Sequence, residues 1–516
     1  MNDVVRQTYV ISDLHLGGAY PESGAGGVDR GFRICTRADV LIRFVDALTE
    51  KPVGAPSIEL VVNGDLVDFL AERDEHGGTW CAFTFDQASA RRKFDGIVAR
   101  DRGFFDALGR FLAKGHRLVI LLGNHDIELA LPTLRPALAK AVGARPGTDF
   151  EFVPGAEAYV VGDALIEHGN RYDAFNIVDH ERLARLCAMV SRSQHGAAES
   201  FDPPPGSHMV AEVINPIKEQ YKFVDLLKPE TGAVVPLLLL LEPGYRKILG
   251  KVALIASRAR GAVRIATGKQ AASRSSGSDF AAGGTSTGGG FDGGFGSDIA
   301  AGGFDASTAA PGHDPLHDEE AALNALLNEH LGVDAVSARA ALPAADVSGS
   351  DISTLGDVID RTVGMARLLV ASSTDDHLPR LGALWAAFRS LQGDQSFDES
   401  VETASEYVDA AQALATNGVT HVVFGHTHMA KRIPLASGGF YLNSGTWADV
   451  MEFPRDLLSA PRDEALTRLG AFVQHLIDGD FSAYALFRPT YVRLALGADN
   501  RVATAELIKF TDAASV

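Results

Sequence analysis

The sequence predicts an α/β fold, because short β-branched runs alternate with longer helical patterns in its first part and strands dominate its end. The chain has 516 residues. At roughly 100 to 200 residues per domain, this length allows about two to four domains or one enlarged domain. Hydrophobic residues make up 46% of the chain and charged residues 22%. That composition excludes a disordered chain, and the apolar runs are too short for a protein with many membrane spans.

The first part of the chain contains the alternation of strands and helices. Its short β-branched and apolar runs are bounded by turn residues, whereas its longer segments carry apolar residues at helical spacing. The predicted strands are 8–11, 58–62, 117–122 and 164–166, and the predicted helices are 36–49, 87–114 and 127–142.

Clear strands return only after a long interval. The predicted strands there are 420–424, 439–442, 483–487, 491–496 and 502–510, with one helix at 463–477. We therefore divide the chain into a first core part at 1–195, a mainly helical insert or cap at 196–399, and a second core part at 400–516.

A glycine-rich segment divides the predicted insert. Residues 277–303 contain eleven glycines, and a chain of this composition cannot bury enough area to offset its ordering entropy. We predict a flexible, disordered Gly/Ser-rich linker at about 273–312, with helical segments around 201–266 and 318–391 on either side.

Charge and cysteine content narrow the function classes. The net charge of −19 repels polyanions, so nucleic acid is disfavoured as a partner. Cys35, Cys81 and Cys187 are widely spread and odd in number, which argues against a disulfide framework and against a cysteine zinc site. The start of the chain lacks the apolar core of a secretory signal. These features predict a cytoplasmic protein.

Five short polar motifs each follow a predicted strand. They are Asp13-Leu14-His15, Gly64-Asp65-Leu66-Val67-Asp68, Gly123-Asn124-His125-Asp126, His168-Gly169-Asn170 and Gly425-His426-Thr427-His428. In open α/β sheets ligands bind at the carboxyl ends of the strands, so the motifs are expected to converge on one crevice. Alternation along an extended chain predicts that Asp13 and His15 point to the same side. One such motif is typical of a turn, but five in order indicate a site.

The donor groups of these motifs are Asp, Asn and His, without cysteine. This set suits Mn, Fe or Zn and is poorly suited to purely structural zinc. The sequence therefore predicts a site for two divalent metal ions, with Mn²⁺ as the first candidate and Fe or Zn as alternatives.

The ordered motifs resemble those of the calcineurin-like metallophosphoesterases, over about 1–195 and 400–516. The resemblance implies a four-layered αββα sandwich in which the trailing strands form the second sheet. It also implies a ligand set: Asp13, His15 and His428 for the first metal, Asn124, His168 and His426 for the second, and Asp65 as the bridge between them.

The same resemblance implies hydrolysis of a phosphoester by attack of a metal-bridging hydroxide. His125 would protonate the leaving oxygen or stabilise the transition state, and Asp126 would orient its ring. Asp68 has two interpretations, as a direct participant or as a carboxylate that supports a ligand or caps a helix. Arg171 follows His168 closely and is a candidate for substrate binding.

The substrate implied by the resemblance is a phosphodiester or pyrophosphate. The stretches 12–17, 64–69 and 168–173 look most like those of UDP-2,3-diacylglucosamine pyrophosphatase relatives, which predicts an amphiphilic, lipid-linked nucleotide. The best-known branch of those relatives has arginine where this chain has His125. A serine/threonine protein or small-molecule phosphomonoesterase is the alternative, and a non-catalytic scaffold of this fold that binds a protein partner is the alternative of another class.

Residues 234–274 combine an apolar run with a basic cluster. The run at 234–241 precedes eight lysines and arginines between 246 and 274, and no acidic residue lies between 243 and 278. One interpretation is a helix that contacts an anionic membrane peripherally, on its inner face. The other is a helix packed within the insert, with its cations solvated.

Overall fold

The computed structural model describes residues 4–18, 22–23, 29–30, 32–54, 56–74, 79–194, 201–228, 234–241, 380–388, 391, 395–480, 482–511 and 516. The chain is a mixed α/β protein with several sheets and helices. The predicted linker at 273–312 and the basic cluster at 246–274 lie outside the described residues. The domain boundaries at 195 and 399 stay a prediction.

The strands, in chain order, are β1 (Val4–Ile11), β2 (Glu22–Ser23), β3 (Asp29–Arg30), β4 (Ser57–Asn63), β5 (Arg117–Leu121), β6 (Phe150–Val153), β7 (Tyr159–Val161), β8 (Ala164–Ile166), β9 (Leu227–Lys228), β10 (His421–Phe424), β11 (Lys431–Pro434), β12 (Phe440–Asn443), β13 (Val450–Glu452), β14 (Ala485–Leu486), β15 (Thr490–Gly497) and β16 (Val502–Lys509).

The helices are α1 (Ala38–Thr49), α2 (Gln87–Arg100), α3 (Arg102–Ala113), α4 (Leu134–Ala141), α5 (His180–Val190), α6 (Pro205–Met209), α7 (Asn215–Lys218), α8 (Val235–Leu241), α9 (Leu381–Phe388), α10 (Ser405–Leu414), α11 (Asp456–Ser459) and α12 (Arg462–Asp478). Short 3-10 turns cover Ile127–Ala130, Asn170–Tyr172 and Lys222–Val224, and one π turn covers Val210–Ile214.

Two large sheets organise the protein. The six-stranded sheet has the order β16-β15-β1-β4-β5-β6, with β1, β4, β5 and β6 parallel, β15 antiparallel to β1, and β16 antiparallel to β15. The five-stranded sheet has the order β11-β12-β10-β8-β7, with β8, β10 and β12 parallel. A small sheet joins β14, β13 and β9. Parallel neighbours place their carboxyl ends at the same edge of each large sheet.

The six-stranded sheet buries both faces, as the alternation of side chains along β1 shows. Tyr9 and Ile11 lie in a core with Phe44 of α1 and with buried residues of α2, α3 and α4. Val10, between them, faces a second core that holds residues of both large sheets, among them Val423. The two sheets therefore pack face to face, since successive residues of a strand point to opposite faces.

The outer face of the five-stranded sheet is covered by α10. Tyr407 and Ala411 of this helix share a core with Val422 and Phe424 of β10. Across the described residues the order of packing is thus helices, six-stranded sheet, five-stranded sheet, helix.

A separate core holds the described parts of the predicted insert. Leu237 and Leu240 of α8 are fully buried there, together with Phe388 of α9 and Phe472 of α12. Within the apolar run at 234–241, Leu237 and Leu240 therefore pack against the chain itself, as in the second interpretation of this segment, whereas membrane contact through 234–274 stays a prediction. Among the described helices, none has the length and apolarity needed to cross a bilayer.

Two predicted helices are each divided. The predicted helix 87–114 breaks at Asp101, whose φ of −104° and ψ of 25° leave the helical region and whose carboxylate accepts a 3.1 Å hydrogen bond from the Gly17 N–H. The predicted helix 127–142 becomes a 3-10 turn followed by α4. Pro132 lies at this break, and a proline has no N–H to continue the hydrogen-bond ladder.

Candidate metal centre

The five polar motifs follow the carboxyl ends of β1, β4, β5, β8 and β10. The first three strands are parallel neighbours in one sheet, and the other two are parallel neighbours in the facing sheet. The motifs therefore meet at one edge of the stacked sheets, as the strand-end pattern predicts.

Asp13, His15 and His428 form the first cluster. The Nε2 atom of His428 lies 3.4 Å from Asp13 Oδ1 and 3.0 Å from the Nε2 atom of His15. His15 Nε2 lies 4.0 Å from the same Asp13 oxygen. Two imidazole nitrogens and a carboxylate oxygen thus face one point, an arrangement suited to a cation.

Asp65, Asn124 and His168 form the second cluster. The Nε2 atom of His168 lies 3.2 Å from both Asp65 Oδ2 and Asn124 Oδ1. Asp65 Oδ2 also lies 3.7 Å from the Nε2 atom of His15. Asp65 therefore lies near a member of the first cluster as well as the members of the second. This is the position that a carboxylate bridging two metal ions would occupy.

His426 completes the arrangement. Its backbone N–H contacts both carboxylate oxygens of Asp13, at 3.1 and 2.9 Å. Its ring packs edge-on against the His168 ring, with 5.5 Å between the ring centroids. The Nε2 atom of His426 lies 3.1 Å from Asp173 Oδ2, so this ring connects the two clusters to the loop after β8.

The backbone at the predicted ligands is unusual. Eight non-glycine residues of the described chain have positive φ, and five of these are predicted ligands. Such conformations cost about 1–3 kcal/mol each and accumulate at functional sites. They also correct the expectation that Asp13 and His15 alternate along an extended chain. The five are Asp13 at 54°, His15 at 44°, Asp65 at 51°, His426 at 68° and His428 at 62°.

Two glycines of the motifs are required by close packing. A Cβ at Gly123 would overlap the Asp65 side chain and its backbone nitrogen, and a Cβ at Gly64 would overlap the His168 ring. Gly64 also has a φ of 81°. These glycines therefore allow the ligand-bearing turns to approach one another.

The His125 ring lies within ion-pair distance of Asp68. The Nδ1 atom of His125 lies 3.2 Å from Asp68 Oδ1, and the other oxygen of Asp68 lies 3.3 Å from His15 Nδ1. The Ala71 N–H also donates to Asp68, at 3.0 Å. His15 turns its other nitrogen towards Asp13 and His428, so Asp68 contacts the opposite side of this ring, where it forms a further group with His15 and His125.

Asp126 does not orient the His125 ring, which corrects the prediction for this residue. Its two oxygens accept hydrogen bonds from the Gly123 N–H at 2.7 Å and the Leu66 N–H at 2.8 Å. Asp126 therefore ties the turn after β5 to the turn after β4. Burial, followed by the charge of Asp65, raises the pKa of Asp126 to about 8.

Arg171 contacts groups outside the two clusters. Within the described part of the chain, its guanidinium donates to the Ala156 carbonyl at 2.6 Å and lies 3.4 Å from Glu167 Oε2. The side chain is 44% exposed. Substrate binding by Arg171 stays a prediction.

One segment of the site was not predicted. Asn443, at the end of β12, donates to the Gly425 carbonyl at 2.7 Å, and Thr446 donates to the Asp13 carbonyl at 2.8 Å. These bonds hold the backbone of two ligand motifs. The segment follows a strand parallel to β10, so the strand-end rule applied to 439–442 could have found it.

The charges of the site fit divalent cations. Although burial opposes ionisation, the His428 hydrogen bond and the nearby His168 lower the pKa of Asp13 to about 2. The pKa values of Asp65 and Asp68 are also held below their usual range, against burial, by neighbouring histidines. Three buried carboxylates are thus ionised together, and such a group requires compensating positive charge.

The histidines show the same requirement. Burial opposes protonation of His168, but Asp65 raises the pKa of His168 to about 10. The proton on this ring thus supplies part of the positive charge that the carboxylates require. Burial lowers the pKa of His428 to about 4, which leaves this imidazole neutral at neutral pH. Oxygen and neutral imidazole donors are the ligands that Mn, Fe and Zn accept. The residues present therefore fit two metal ions.

No family model, curated protein or solved structure matches this chain. The arrangement of the strand-end residues therefore carries the functional argument.

Proposed function

We propose that the protein is a dinuclear metal-dependent phosphoesterase of the calcineurin-like type, which hydrolyses a phosphodiester or pyrophosphate bond. One observation carries the proposal. Seven Asp, Asn and His side chains from five strand ends form two adjoining clusters, and Asp65 lies between them. Paired clusters of this kind are what a two-metal hydrolase requires.

The packing of the sheets supports the same proposal. Helices, two facing sheets and a further helix follow one another, as in the αββα sandwich that the sequence resemblance implies. Residues 196–399 would then be an insert between the two parts of the core. Its described segments pack against α12 and β13 of the second part.

The ligand set follows from the clusters. Asp13, His15 and His428 would hold one ion, Asn124, His168 and His426 the other, and Asp65 would contact both. When bound, two such ions supply a water of lowered pKa and positive charge to offset the phosphoryl oxygens. Mn²⁺ is the first candidate, with Fe and Zn as alternatives.

His125 would act as the proton donor to the leaving oxygen. Its Nδ1 faces Asp68, so its Nε2 is the atom left to meet a substrate. Burial lowers the pKa of His125, but the charges of Asp68 and Asp65 raise it more, to about 9. These two carboxylates therefore favour the protonated ring that a general acid requires. With 19% of its side chain exposed, it is also accessible.

The substrate that we propose to test first is a lipid-linked nucleotide diphosphate, as the sequence resemblance implies. Such a substrate is amphiphilic, and a cytoplasmic enzyme acting on it would meet it at the inner face of a membrane. The cations at 246–274, outside the described residues, would be the place for peripheral contact with anionic lipid.

Removal of metal should abolish hydrolysis. Protein treated with a chelator and then dialysed should lose hydrolysis of bis-p-nitrophenyl phosphate, because the side chains alone do not activate water, and should regain it with Mn²⁺. Protein dialysed in parallel without chelator is the control. The same reconstituted protein is then assayed on a phosphomonoester and on a nucleotide diphosphate-lipid. Full activity in excess chelator would show that the reaction needs no metal.

A further inference from the structure

The loop after β8 contains a carboxylate that contacts one predicted ligand directly and another through an amide. Asp173 Oδ2 lies 3.1 Å from His426 Nε2 and accepts a 2.7 Å hydrogen bond from Asn176 Nδ2. The other side of Asn176 contacts a second ligand, since its Oδ1 lies 3.4 Å from Asn124 Nδ2. Asp173 is thus linked to both Asn124 and His426.

We infer that Asp173 is a positioning residue that sets the hydrogen-bond polarity of both ligands, so that each turns its acceptor atom to the same metal ion. This inference rests on the proposed function and names a determinant of its second metal site.

The argument begins at His426. An ionised carboxylate only accepts hydrogen bonds, so the contact with Asp173 places a hydrogen on His426 Nε2. A neutral imidazole with that hydrogen has its lone pair on Nδ1, which becomes the atom available to a metal. His168 is oriented the other way, because its Nδ1 donates to the Asn63 carbonyl at 2.8 Å and its Nε2 faces Asp65.

The second arm runs through Asn176. Its Nδ2 must face the carboxylate, so its Oδ1 is the atom that faces Asn124. An amide oxygen accepts, and Asn124 therefore presents its Nδ2 to Asn176 and turns its Oδ1 towards His168 Nε2, 3.2 Å away. If the Asn176 amide were reversed, its Nδ2 donor would face the Nδ2 donor of Asn124, and its Oδ1 acceptor would face the carboxylate of Asp173.

The loop itself is held in place independently of the ligands. The Phe175 N–H donates to Asp173 Oδ1 at 2.8 Å, and Asn170 Nδ2 donates to the Asn176 carbonyl at 2.7 Å. The N–H of Gly206, in α6, donates to the Phe175 carbonyl at 2.7 Å. Asp173 is therefore a fixed hydrogen-bond acceptor. The loop determines which ligand atoms act as donors, and the ligands do not determine the conformation of the loop.

Metal counting tests this inference without reference to activity. Metal-free wild type, Asp173→Asn and Asp179→Asn proteins are titrated with Mn²⁺, and bound ions are measured by calorimetry and by electron paramagnetic resonance. Asp179 is the matched control, because it caps α5 in the same region and asparagine caps equally well. Wild type and Asp179→Asn should bind two ions with a spin-coupled signal.

Asp173→Asn should bind one ion as tightly as wild type and the other about 10- to 100-fold more weakly, the usual cost of losing an outer-shell partner. When one equivalent of Mn²⁺ is added per site, the electron paramagnetic resonance signal of Asp173→Asn should be that of isolated, uncoupled Mn²⁺. Asn176→Ala removes only the arm to Asn124 and should weaken the same ion by a smaller factor. Thermal unfolding of each metal-free variant reports whether it folds, and Asn176→Ala serves if Asp173→Asn does not.

The possible results separate the two proposals. Two ions with wild-type affinity and coupling in both Asp173→Asn and Asn176→Ala would overturn the positioning role while leaving the metal site intact. Wild-type protein that binds none of Mn²⁺, Fe²⁺ and Zn²⁺ would instead overturn the proposed function, and the inference with it.

Discussion

Replacement of Asp65 by alanine should release both metal ions and reduce hydrolysis by more than the 10- to 100-fold that outer-shell changes cause. Asp65 lies between the clusters, with Oδ2 3.2 Å from His168 Nε2 and 3.7 Å from His15 Nε2. Its Oδ1 also accepts the His125 N–H at 2.8 Å, so its loss loosens the turn that carries Asn124. Bound metal after dialysis and the rate of diester hydrolysis measure the effect.

The control for this change is Asp95→Ala. Asp95 is 54% exposed on α2 and pairs with Arg91 one turn away, so its removal should leave both metal content and turnover unchanged. An Asp65→Ala protein that keeps two ions and normal turnover would show that Asp65 is not the bridge.

Replacement of His125 by alanine should slow turnover by roughly 10² to 10⁴ while both metals stay bound, because an acid–base group is lost and no ligand is. The slowing should be smaller for p-nitrophenyl esters, whose leaving group needs little protonation, than for alkyl esters. Steady-state rates on the two ester types, with metal content measured on the same samples, test the expectation.

His475→Ala is the matched control for this histidine. His475 is 46% exposed in the last turn of α12, and its contacts are with Asp480 and Tyr484. Equal slowing of His125→Ala on both ester types would assign His125 to charge stabilisation instead of proton donation. Loss of metal in His125→Ala would make it a ligand.

The convergence of the motifs was predictable because it follows from local patterns. Buried β-branched runs define the strands, and polar residues at their carboxyl ends must meet when the strands are parallel neighbours. Asp13, Asp65 and His168 were predicted on this ground and lie within a few ångströms of one another. The strand-end rule applies equally to the segment after β12, although we did not predict that this segment contributes to the site.

The detailed roles were less predictable, because they depend on contacts between distant parts of the chain. Asp126 is next to His125 in sequence, yet its carboxylate faces two backbone N–H groups, and the carboxylate beside the ring is that of Asp68. The left-handed backbone at Asp13 and His15 goes with hydrogen bonds from their N–H groups to the carbonyls of Gly64 and Asp65 in the next motif, and it has no signature in residue spacing.

The described parts of the insert illustrate the same limit. An apolar run such as 234–241 is compatible with a membrane surface or with a core. Only its partners in α9 and α12, about 140 or more residues later in the chain, determine that Leu237 and Leu240 are buried.

The most direct test of the central claim is the position of bound metal. Crystals of the protein grown with Mn²⁺ should show two anomalous scattering peaks about 3.5–4 Å apart, the spacing of two-metal hydrolases. Asp65 should lie between the peaks, with Asp13, His15 and His428 on one side and Asn124, His168 and His426 on the other. Crystals in which no anomalous peak lies among these side chains would contradict a metal-dependent site.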